Sequence, residues 1–170
     1  MKQKLSNFTR CQSGSSGAEM ALLVPLLTTL MFGAFELGFY FYNEHILVKS
    51  VRDASRFASR QMALYSPATC MAGDITAAPA PAIDNVARYG KATITGADKL
   101  RISTWTTAVK VTLSCPAIGT YDGIYKGKAN IPVVTVAALN VTYPSIFKTL
   151  GFSSVGLKLN ASSQSAVTGI

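Results

Sequence analysis

One stretch, Gly14 to Tyr42 (GSSGAEMALLVPLLTTLMFGAFELGFYFY), limits what this chain can fold into more than any other. The sixteen residues from Met20 to Phe35 carry no charge, and Phe39 to Tyr42 extend the apolar run past Glu36. At ~1.5 Å per residue a helix from Ala18 to Tyr42 is roughly 37 Å long, against a hydrocarbon core of about 30 Å. A lone segment can cross a bilayer only as a helix, because its backbone groups must all be satisfied internally. The sequence therefore predicts one transmembrane helix over about 18–42.

Two carboxylates interrupt this segment. An ionised side chain at the bilayer centre costs on the order of 3 kcal/mol, so Glu19 and Glu36 are expected near the interfaces. Glu19 falls at the entry, and Glu36 lies about 27 Å along the helix from Ala18, beside Phe39, Tyr40, Phe41 and Tyr42, which read as an aromatic belt. Pro25 lacks a backbone donor and is expected to bend the helix. Ala34 and Gly38, four apart, would let another helix approach closely.

The apolar core is preceded by a polar, basic leader, MKQKLSNFTRCQSG. Small residues, Gly14 to Ala18, stand before the apolar core, the reverse of their order in a secretory signal peptide. Cutting among them would remove the leader and keep the helix as an anchor. Cleavage after Gly14 would leave a free amine on Ser15, one helical turn from Glu19, and the two charges could neutralise each other within one subunit or between neighbours. Gly17 is a second candidate, which would put Glu19 two residues from the new end. Lys2, Lys4 and Arg10 before the helix are matched by Lys49, Arg52, Arg56 and Arg60 after it, so the basic count alone does not orient the segment. Of three cysteines, Cys11 would leave with the leader; Cys70 and Cys115 would then form one disulfide in an extracytoplasmic domain, the other reading being two buried thiols.

Gly14 followed five positions later by Glu19, and then directly by an apolar helix, resembles the processing site of type IV prepilins and pseudopilins. MALLVPLL with Pro25, FGAFELG with Glu36 and Gly38, and VRDASRFASR resemble the TadE-like minor pseudopilins of tight-adherence (Flp-type) pilus systems, over Gly14 to about Arg60. Met20 departs from that pattern, standing where an aromatic often follows the glutamate. The resemblance implies a structural pilus component, active in surface adherence or secretion. It implies cleavage between Gly14 and Ser15 by a prepilin peptidase, and Glu19 setting axial register by meeting a neighbour's terminal amine. The implied partners are other pilin and pseudopilin subunits, the peptidase, an inner-membrane assembly platform and membrane lipid. The implied location is the bacterial inner membrane, single pass, with the leader cytoplasmic, the C-terminal domain extracytoplasmic, and possible incorporation in the pilus. The alternative is an uncleaved, signal-anchored envelope protein whose β-rich domain binds a ligand or cell-wall component.

Beyond the membrane segment the long helix is expected to continue to about residue 65. Leu47, Val51, Ala54 and Ala58 recur at helical spacing, Arg52, Arg56 and Arg60 repeat every fourth residue on another face, and Pro67 ends the pattern. Residues 66–90 read as a loop, including Ala72 to Pro81, and a short helix from Ile83 to Tyr89 with Gly90 as its C-cap. Residues 91–170 read as β-rich. Val109, Val111 and Leu113 alternate with polar residues; Val133, Thr135, Ala137, Leu139, Val141 and Tyr143 form a second alternation; Val155, Leu157 and Leu159 form a third. Ala92 to Thr95 is a possible fourth strand. The fold class is thus α+β: a long helix, then a small domain with a short helix and a three- to four-stranded antiparallel sheet covered on one face. Trp105 is expected in the core or at an interface.

The chain has 170 residues and a formal charge of +8. Its basic residues are dispersed, with no dense tract, so nucleic acid is not an expected partner. His45 is the lone histidine, no C-x-x-C pair occurs, and no phosphate-binding glycine loop is present. Neither a metal site nor a cofactor is expected. Asp74, Asp84, Asp98 and Asp122 form no recognisable acid–base pair, and enzyme activity is not expected.

Overall fold

The computed structural model describes residues 15–61, 70, 72–117, 123, 125–126, 130–149, 151 and 156–168. Gly14, Cys11, Pro67 and Val155 lie outside them. In chain order the elements are α1 (Ser15–Ser59), β1 (Gly73–Asp74), α2 (Ala80–Tyr89), β2 (Lys110–Ser114), β3 (Val133–Thr142), α3 (Ile146–Thr149) and β4 (Lys158–Ala166). The chain divides into two compact units, Met1–Phe39 and Tyr40–Ile170. In the first, the described part is the apolar portion of α1. The second is an α+β domain built on a four-stranded antiparallel sheet of order β1-β2-β3-β4.

The sheet has one covered face, and β2 follows the expected alternation, with Val111 and Leu113 buried between exposed Lys110 and Ser114. In β3 the phase differs from the expected one. Val134, Val136 and Ala138 are the buried residues of its first half, and only after a register irregularity between Ala138 and Val141 do Val141 and Tyr143 turn inward. Asn140 makes the switch, with a φ of 57° and its N–H bonded to Asn160 Oδ1 at 2.7 Å. Asparagine is among the few side chains that enter the left-handed region readily. An inserted residue of this kind moves every later side chain to the opposite face.

The fourth strand comes from an unexpected place. β1 lies inside the segment read as a loop, pairing Gly73 with Leu113 and Asp74 with Thr112. Ala92 to Thr95 forms no strand, because the Asp98 carboxylate captures both the Thr95 N–H, at 2.8 Å, and the Thr95 hydroxyl, at 3.0 Å, closing a turn. β4 supports the third expected strand but extends it through NASSQSA, where apolar alternation is lost; Leu157, just before it, is exposed and Leu159 is buried.

The distal part of α1 covers the inner sheet face with Leu47, Val51, Ala54 and Ala58, all fully buried as their spacing predicted. Buried Ser50, Ser55 and Ser59 lie on the same side, and such small residues allow close approach. The Ser55 and Ser163 hydroxyls sit 3.0 Å apart, tying α1 to β4. α1 ends at Ser59, short of the predicted residue 65. There the Thr168 N–H bonds the Ser59 carbonyl at 2.7 Å, capping one of the acceptors a helix end leaves open.

α2 ends as predicted, with Gly90 in the left-handed conformation (φ 82°) and its N–H on the Val86 carbonyl at 3.0 Å. It starts at Ala80, earlier than expected, since Pro81 is compatible with a helix's first turn. Asp84 fastens it to the sheet, accepting the Val109 N–H at 2.9 Å on one oxygen and Arg88 at 3.1 Å on the other. Trp105 is fully buried.

Candidate functional site

α1 from Gly17 to Phe35 is exposed residue by residue, with Leu22, Leu27, Leu30 and Phe35 between 59 and 79 % open. A helix apolar on all sides with nothing covering it is suited to a nonpolar solvent rather than to water. α1 is long and apolar enough to cross a membrane, with a mean hydropathy of 1.8 over its best window.

The two threonine hydroxyls in this segment are satisfied locally. α1 runs through Pro25 as one helix. The Thr28 hydroxyl donates to the Val24 carbonyl at 2.8 Å and lies 2.9 Å from that of Pro25, while Thr29 donates to the Pro25 carbonyl at 2.8 Å. In hydrocarbon an unbonded hydroxyl is costly, and back-bonding within one turn removes that cost without a second helix. The sequence reading passed over these threonines, although their positions three and four residues after a proline were a usable signal.

Glu19 is exposed in the first turns of α1, and Glu36 is partly buried near the other end of the apolar stretch. They are 17 residues apart, so they act separately. Ser15 is the first residue of α1; Gly14 lies outside the described residues. At Gly33 and Gly38 a Cβ would meet no other atom within 4 Å, so a second helix could come close at either.

The aromatic cluster divides. Phe41 and Tyr42 are exposed, as a belt requires, whereas Tyr40 packs edge-on against Tyr143 of the domain, with ring centroids 5.3 Å apart. Beyond them the outward side of α1 carries His45, Lys49, Arg52 and Arg56, all exposed.

Cys70 and Cys115 are joined in a disulfide with a Cα–Cα distance of 5.9 Å. The bond lies beside the short β1–β2 pairing, next to Gly73↔Leu113. Four ion pairs surround the domain: Asp53 with Arg101, Asp74 with Lys110, Asp84 with Arg88, and Asp98 with Lys91. The hydrogen bond from Lys91, with those from the Thr95 backbone and side chain, lowers the Asp98 carboxyl to a pKa of about 2. Hydrogen bonds from Lys110 and then Thr112 lower that of Asp74. Arg101 also bonds the buried Ser50 hydroxyl at 3.1 Å, locking the loop after α2 onto α1. Among the described residues no three His, Cys, Asp or Glu side chains converge as a metal site would require.

These features define a class: a candidate membrane-anchored protein whose apolar helix precedes a disulfide-bonded α+β domain. Residues 14–56 are similar to the family model described as TadE-like protein. The match begins at Gly14 and otherwise falls wholly within α1, so it covers the anchor and none of the sheet. No curated protein and no solved structure matches the chain.

Proposed function

We propose that this protein is a minor pilin or pseudopilin, a structural subunit for assembly of a tight-adherence pilus, cleaved after Gly14. The observation that carries the reading is the coincidence of the TadE-like match with the stretch of α1 whose apolar surface is uncovered. Burial of that surface, first in lipid and then against other pilin helices, would drive assembly. Glu19 would meet a neighbour's terminal amine, and Ala34 and Gly38 would set how closely helices approach. The domain would stand outside the inner membrane, where its Cys70–Cys115 bond is stable, and choose partners among the pilin subunits and the assembly platform.

The test is the amino-terminal sequence of the protein isolated from membranes of cells carrying their native prepilin peptidase. Ser15 at the terminus supports the reading; an uncut leader in a peptidase-competent strain overturns it and favours an uncleaved envelope anchor. Glu19→Ala should still insert in the membrane but assemble poorly, and normal piliation in that variant would remove Glu19 from the mechanism.

A further inference from the structure

The outward face of α1 in the domain is self-repelling. Lys49, Arg52, Arg56 and Arg60 are all exposed, and their side chains form no ion pair or hydrogen bond among the described residues. Within α1, Arg52 and Arg56 stand four apart and Lys49 stands three before Arg52, while Arg60 follows one residue past the helix end. Like charges at such spacing repel each other and destabilise a helix. Four aspartates of the domain, Asp53, Asp74, Asp84 and Asp98, each hold a cation outside the stripe.

We infer that this stripe is a docking surface for an acidic protein, a chain other than this one, with carboxylates spaced along an elongated face. Lys49 to Arg56 spans seven residues of α1, roughly 10 Å of helix rise, with Arg60 just beyond the helix end, which is the least length of acidic surface required. A second copy does not fit, since the chain carries +8 overall and, of the described acids in the domain, the four aspartates are already ion-paired, leaving Glu44 alone to face several cations. A lipid surface fits poorly as well. Arg56 lies 14 residues past Tyr42, roughly 21 Å along α1, whereas each headgroup layer is only about 5–8 Å deep. The inference uses a different surface from the apolar segment and does not rest on the pilus reading.

The experiment places a photo-crosslinking amino acid at Arg60 of the full chain in its native cells, leaving Lys49, Arg52 and Arg56 in place. The labelled peptide is identified by mass spectrometry. The expected adduct is to a different protein, on a peptide rich in Asp and Glu. Its yield should fall by about tenfold or more in Arg52→Glu/Arg56→Glu, where like charges now face each other, and persist in Arg52→Lys/Arg56→Lys. Formation of the Cys70–Cys115 bond on a non-reducing gel verifies that each variant folds. An adduct to lipid, to a second copy or to a peptide without acidic excess overturns the inference. So does an adduct that survives charge reversal, or no adduct at all. Cleavage at Gly14 is scored in the same cells, so failure of the pilus reading is seen separately.

Discussion

Removing the disulfide should cost the domain a large fraction of its stability. Cys70 and Cys115 are separated by 45 residues. In the chain-entropy treatment a loop of that length loses about 13 cal/mol/K in the unfolded state, or about 4 kcal/mol at 25 °C. The Cα–Cα distance of 5.9 Å is within the usual span, so the native backbone need not distort to close the bond. A loss of ~2–4 kcal/mol is therefore expected for Cys70→Ala/Cys115→Ala. Since small proteins unfold with a urea slope of about 1–3 kcal/mol/M, the midpoint should drop by roughly 1–2 M. Trp105, the one tryptophan of the chain and fully buried, supplies the fluorescence signal for full-length protein in detergent. A midpoint change below about 0.3 M at unchanged slope would refute the argument, and so would free-thiol titration of both cysteines in native protein.

Asn140→Val places a β-branched side chain at φ 57° and should cost about 1–2 kcal/mol, whereas Asn140→Gly should cost much less; equal denaturation midpoints would show that the bulge relaxes. Trp105→Ala should remove about 3–5 kcal/mol, and Trp105→Phe less, since Nε1 has no acceptor among the described residues; thermal melts rank the two. The Asp98 carboxyl, at about 2 against an ordinary 3.8, contributes stability that is present above the ordinary value and lost as pH falls through about 2. Carboxyl NMR titration should find Asp98 well below free aspartate, and Asp98→Asn should remove that part of the acid dependence.

What was legible in the sequence followed strong periodicity or a residue with a single structural use. The α1 face of Leu47, Val51, Ala54 and Ala58, the Gly90 cap and the Cys70–Cys115 pair all follow from such signals. In β3 almost every residue from Val133 to Val141 is apolar or threonine, so both phases looked alike, and only Asn140 marked where the phase turns. β1 is two residues long and held by the sheet and by the Asp74–Lys110 ion pair, which no local pattern announces. β4 carries Ser163 where an apolar residue would be looked for, and that hydroxyl meets Ser55 of α1 at 3.0 Å. The anchor was legible because a bilayer demands a continuous apolar run, while the Thr28 and Thr29 back-bonds that make it comfortable there became visible only in three dimensions.

The bonds from Ser163 to Ser55 and from Thr168 to Ser59 also set a timetable. The partners Ser55 and Ser163 are 108 positions apart, and at 5–20 residues per second roughly 5–20 s of synthesis separates them. The helix face of the core is therefore made first, and the strand that closes it arrives late. Until β2 and β3 are made, Leu47, Val51, Ala54 and Ala58 have no sheet to lie against, and β4 completes it last. Pairing across so long a stretch of chain is also slow in itself. The anchor can be seated before the domain exists, and the cell must shield one apolar stripe until the closing strand is delivered.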